Sequence, residues 1–220
     1  MSIEVRKMNP LKGLLTYFWY YFNVKLTIVL IQVMAVAIAY LIFGHLWIFG
    51  IFSFYALSMM SVSILLTMGS KEVDWERFQL SMPVRRNDIA KSQYITVGGV
   101  PFLGIPLVIL IYWLGSLLHE GAYFELIPMF TMLAPSLSGP LTMCAIIFPL
   151  AVVPALEDKI NSLFWPIVLI SLVIPQLIIL LGNNLGWSAI ITASAILGLS
   201  IVLITISYFI TVKLYSKIDF

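Results

Sequence analysis

Long uncharged runs alternate with short polar segments along this chain. Six such runs stand out, at residues 26–43, 46–68, 94–118, 126–155, 163–181 and 187–212. A helix that crosses about 30 Å of hydrocarbon needs about 20 mostly apolar residues, and the runs are of that order. The pattern predicts an all-α membrane protein with six transmembrane helices in a single domain spanning residues 1–220. The first two helices are joined by a short turn at Gly44 and His45.

Three features modify this layout. In the segment 11–25, Tyr17, Phe18, Trp19, Tyr20, Tyr21 and Phe22 form an aromatic run between Lys12 and Lys25. Aromatic rings favour the headgroup level, so an N-terminal interfacial helix is expected there in preference to a longer, tilted first span. The fourth run carries Pro128, Pro135, Pro140, Pro149 and Pro154. Because proline removes a donor and clashes with the preceding turn, the stretch from Pro135 to Pro140 is expected to interrupt the helix. Either the helix kinks inside the protein or the piece before Pro140 is a short outer-leaflet segment. In the sixth run Ser194 and Gly198 have a small-x-x-x-small spacing, with Thr205 near the same face. Packing within one subunit and contact with a second subunit both account for it.

Composition supports the membrane reading. The chain is 61% hydrophobic and 10% charged, whereas about 25% charged residues are usual in a soluble domain. Charge placement then gives the orientation. All 12 lysines and arginines fall at the termini or in the segments 69–93 and 156–162, which six spans place on one side. The opposite loops offer only His45, His119, Glu120 and Glu125. By the positive-inside rule both termini are expected to be cytoplasmic, in a multi-pass membrane protein. A formal net charge of +2 suggests no nucleic-acid partner. The N-terminus does not read as a cleavable signal peptide, and the lone Cys144 reads as a packing residue, with no metal or redox spacing around it.

Candidate chemistry is sparse. No G-x-x-x-x-G-K-[ST] phosphate loop, H-E-x-x-H or G-x-S-x-G sequence occurs, so the chain is not expected to be an enzyme or to bind a cofactor or metal. The runs carry no acid or base, which a proton- or ion-coupled carrier usually needs at membrane depth. Uncharged polar residues and helix breakers are what they offer. Gln32, Pro135, Ser138 and Pro140 are accordingly the candidate substrate-pathway residues, set against a purely structural kink.

The sizeable polar stretch is residues 69–93, GSKEVDWERFQLSMPVRRNDIAKSQ. Trp75, Phe78 and Met82 sit at i, i+3 and i+7 and make one apolar edge on an otherwise charged short helix. The Ser81-Met82-Pro83 turn ends it. Asn87 or Asp88 is placed to cap a second helix running through Lys91 into the third span. Such a unit is either a solvated loop resting on the membrane surface or a docking knob for a soluble partner.

The sequence here resembles the short bacterial permease subunits of the type-2 ABC transporter family. The residues concerned are Glu72, Asp74, Trp75, Glu76, Arg77 and Phe78, then Ser81, Met82 and Pro83, and then Arg85 or Arg86, Asp88, Ile89 and Lys91. Met82 stands where leucine is more usual. The likeness extends to the charged connection Glu157, Asp158 and Lys159 and to the Tyr215, Lys217 and Phe220 tail, although that connection lacks the expected glycine.

The resemblance implies a coupling helix between the second and third spans that docks on a separate cytoplasmic ATP-binding subunit. Trp75, Phe78, Met82 and Pro83 would form the apolar contact, and Glu72, Asp74, Glu76, Arg77, Arg85, Arg86, Asp88, Glu157, Asp158 and Lys159 the charged surround. ATP and magnesium would then be bound by the partner. A second permease subunit, a copy or a related chain, would complete an exporter of a hydrophobic or amphipathic substrate such as a peptide or antimicrobial compound. An ion-coupled transporter or channel working without an ATPase is the alternative.

Overall fold

The computed structural model describes residues 34, 38, 42, 52, 55–60, 86–118, 126–153 and 160–217. All regular structure among them is helical. The continuous helices are α1 (Arg86–Thr96), α2 (Val100–Leu103), α3 (Ile105–Leu118), α4 (Leu126–Val152), α5 (Ile160–Asn184) and α6 (Ala189–Lys217). Residues 34, 38, 42, 52 and 55–60 are also helical, within the runs expected to be the first two spans. The interfacial helix at 11–25 lies outside the described residues.

Among the described residues, four stretches are long and apolar enough to cross a membrane: Asn87–Leu117, Leu126–Val152, Trp165–Asn184 and Ala189–Lys217. At 1.5 Å per residue, α4 and α6 each reach about 40 Å. These four match the third to sixth expected spans. Helix α4 packs against both α5 and α6. Its most apolar window is 67% buried, against 22% for α6 and 28% for α5. It is therefore the inner helix, and the other two turn broad apolar faces outward.

The largest core cluster joins α4 to α3 and to residues 52, 55 and 59. It brings together Phe52, Tyr55, Met59, Val108, Tyr112, Leu133, Leu137 and Phe148. The free Cys144 is buried in the same cluster, as its apolar setting suggests.

Three local expectations need correction. First, Pro135, Pro140 and Pro149 all lie inside one uninterrupted α4. The expected break rests on the cost of losing backbone donors. In a membrane helix that is packed by its neighbours, adjacent helices and local adjustment absorb that loss. Here 15 of the 27 residues of α4 are buried, Pro140 among them. Second, the interruption occurs instead in the third span, where Val97–Gly99 are turn residues and Gly104 separates α2 from α3. Pro101 sits in the first turn of α2, where its missing N–H is tolerated. The Tyr55 hydroxyl donates to the Pro101 carbonyl at this break. Third, neither Asn87 nor Asp88 caps α1, because the helix already includes Arg86. Asp88 lies in the first turn, where a carboxylate complements the helix dipole.

Candidate functional site

Most of the residues singled out for docking lie outside the described residues: Glu72, Asp74, Trp75, Glu76, Arg77, Phe78, Met82, Pro83, Arg85, Glu157, Asp158 and Lys159. So does Gln32. Arg86 opens α1 and Asp88 is half-buried in its first turn. Pro135, Ser138 and Pro140 sit on α4, where Ser138 and Pro140 are buried inside the bundle. What the structure does describe is where the polar loop re-enters the protein.

That point is α1. Its sequence, RNDIAKSQYIT, is mostly polar, yet Ile89, Ala90 and Ser92 are buried. They face a small cluster in which Ile89 and Ala90 meet Val152 at the end of α4 and Tyr215 near the end of α6. The helix thus wedges between the ends of two spans. Side-chain hydroxyls turned back onto the backbone reinforce it locally: Ser92 Oγ donates to the Ile89 carbonyl at 2.8 Å and Thr96 Oγ1 to the Ser92 carbonyl at 2.6 Å.

Tyr94 fastens the wedge. Its hydroxyl lies 2.5 Å from Ser207 Oγ and 2.8 Å from Thr211 Oγ1, both on α6. Its ring centroid is 4.4 Å from that of Phe148 on α4 and 5.4 Å from that of Tyr208 on α6, the latter edge-on. Such tilted contacts suit the aromatic quadrupole. Tyr208 in turn donates to Asn87 Oδ1 at 2.9 Å, and Tyr215 to Gln93 Oε1 at 3.4 Å. One short helix is held to α6 by three tyrosines.

Deeper in the bundle a seam of small polar residues joins α4 to α6 and α5. Ser138 Oγ and Ser200 Oγ are 2.8 Å apart, and Ser200 Oγ is also 2.9 Å from the Ile196 carbonyl. Both hydroxyls are buried. Beside them Gly139 leaves room for Met60: a Cβ at this position would stand 2.5 Å from Met60 Cε. Thr142 Oγ1, one turn further on, is buried without a hydrogen-bond partner among the described residues. No cluster of three or more metal-ligating side chains occurs among the described residues.

Sequence reasoning missed Tyr94, Ser200, Ser207, Tyr208 and Thr211. A signal existed in the helical spacing of Ala193, Ile196, Ser200, Ser207 and Thr211, all buried on one side of α6. The stripe that sequence reading picked out, Ser194, Gly198 and Thr205, is exposed on another face. No described atom lies within 4 Å of the position a Gly198 Cβ would take.

Hydroxyls and aromatic rings join α1, α4 and α6 in this arrangement. Among the described residues α3, α4 and α5 carry no Asp, Glu, Lys, Arg or His, and α6 carries its lysines, Lys213 and Lys217, in its last turns. Comparison with known proteins finds no matching curated protein and no matching solved structure. A family profile described as an ABC-2 family transporter protein matches residues 19–216. That span takes in α1 to α5 whole and α6 to its last residue but one, so the chain belongs to the ABC-2 transporter family and is a multi-pass membrane component of a transporter.

Proposed function

We propose that the chain is the permease subunit of an ATP-driven exporter, energised by a separate cytoplasmic ATP-binding subunit that docks on the loop at 69–93. The partner would hold ATP and magnesium. Trp75, Phe78 and Met82 would seat the loop, and Glu72, Glu76, Arg77, Arg85 and Arg86 would orient it. Such rim charges act more on partner choice and association rate than on affinity. Both termini would then face the cytoplasm of a bacterial cell.

The observation that carries this reading is the wedge of α1 between α4 and α6. A push on the loop reaches α1 first. Through Ile89, Ala90 and Tyr94 it then bears on Val152 and Phe148 of α4 and on Ser207, Thr211 and Tyr215 of α6. A partner acting outside the membrane would in this way shift two spans together. The substrate would be hydrophobic or amphipathic, because the middles of the described spans offer it hydroxyls and apolar surface, with Asp88, Lys91, Lys213 and Lys217 kept to the span ends. A second permease subunit would complete the path, with the open Ser194 and Gly198 face of α6 as its candidate contact.

Co-purification with candidate ATP-binding subunits tests the reading. The wild-type chain should retain an ATPase, and the Trp75→Ala, Phe78→Ala double variant should lose it. Failure of the wild-type chain to recruit any ATPase would overturn the proposal. Recruitment that survives both substitutions would overturn the docking surface alone.

A further inference from the structure

We propose that the groove between the broken third span and α6 holds one acyl chain of an anionic phospholipid, with the lipid phosphate against Lys91. The groove has a volume of about 500 Å³ and is lined by Ile95, Gly98, Phe102, Leu141, Ile201 and Ile204. That size lies within the range of about 300–1,000 Å³ usual for small-molecule sites. The break at Val97–Gly99 creates it. A Cβ on Gly98 would lie 2.5 Å from the Tyr94 carbonyl oxygen and 3.4 Å from Ile204 Cδ1, so the bare backbone forms the floor.

Two observations choose the occupant. The rims are apolar and outward-facing: Ile95, Phe102 and Ile201 are each about half exposed. What fills the groove is therefore drawn from the bilayer interior, and a free phosphate would leave its apolar length empty. The polar groups at the mouth then select the headgroup. Tyr94 is engaged by Ser207 and Thr211, Tyr208 by Asn87, and Thr205 by the Ile201 carbonyl. Lys91 also lines the groove, is exposed, and has no ion-pair partner among the described residues. An apolar slot ending in an ammonium that no described acid pairs complements a lipid with an apolar tail and a negative head. The site does not depend on the ATPase reading.

The test uses the full chain with Phe102→Trp as a reporter, in bilayer nanodiscs doped with tail-brominated phosphatidylglycerol or phosphatidylcholine. Fluorescence is taken as the difference from the chain lacking the reporter. Half-quenching should need about fivefold less of the anionic lipid, the factor expected for one lysine–anion contact near a membrane surface. Lys91→Gln should abolish the preference and Lys91→Arg should keep it. Equal quenching by the two lipids, a preference that survives Lys91→Gln, or a reporter shielded from both lipids by a second copy of the chain would each overturn the proposal.

Discussion

The hydroxyls of Tyr94 and Ser207 lie 2.5 Å apart and join the helix that emerges from the polar loop to the last span. Thr211, one turn along, lies 2.8 Å from the same phenol oxygen. A single side chain therefore makes two attachments to α6 while its ring rests on Phe148 of α4.

Tyr94→Phe keeps the ring and removes both attachments. Interhelical hydrogen bonds in membranes contribute about 0.6 kcal/mol each on average and about 1.7 at most. Unfolding in mixed micelles should thus show a loss of about 1–2 kcal/mol, with the fold retained. In a reconstituted transporter the larger effect should be on coupling. ATP hydrolysis should continue while substrate movement per ATP falls. Undiminished transport would remove Tyr94 from the linkage.

Ser138 and Ser200 lend themselves to a double-mutant cycle. Each alanine substitution alone should cost roughly the same as both together, because removing either hydroxyl already breaks the contact. The coupling energy should be about 0.6 kcal/mol. Ser138→Val is different, since it adds bulk to a fully packed seam and should cost about 1–3 kcal/mol.

At Gly139 two effects oppose one another. Alanine gains about 1 kcal/mol of helix propensity over glycine, but its Cβ would press on Met60 Cε at 2.5 Å. The thioether tip is flexible and can yield. Gly139→Ala should therefore change stability by less than about 1 kcal/mol, whereas Gly139→Val should cost about 1–3 kcal/mol. Met60→Ala should relieve part of the valine penalty, measured as non-additivity in the same unfolding assay.

Gly186 ends α5 with a φ of 68°. Trp187 N–H donates to the Gly182 carbonyl at 2.8 Å and Gly186 N–H to Asn183 at 3.3 Å, which is the Schellman pattern. Nothing lies within 4 Å of a Cβ built there, so the penalty for Gly186→Ala is purely conformational. It should lower stability by about 1–2 kcal/mol and leave transport per folded molecule unchanged.

Some of this was legible in the order of residues. The expected run at 126–155 and the observed Leu126–Val152 start together and end three residues apart, because length and hydrophobicity alone set a span. The prolines of α4 misled because the rule that proline breaks a helix describes a chain whose neighbours are water. In the third span the same rule held, where Gly98 and Gly99 precede Pro101 and the backbone has little to stiffen it. Tyr94 was illegible for another reason. Its partners are more than 110 residues away in sequence. Two polar stripes compete on α6, and only packing decides that Ser200, Ser207 and Thr211 turn inward while Ser194 and Thr205 do not.

The contrast between the enclosed α4 and the outward-facing α6 has a consequence for speed. Any movement of α6 is movement against lipid, whereas any movement of α4 is movement against protein. Stiffer, more saturated membranes would resist the first while leaving each internal contact as strong as before.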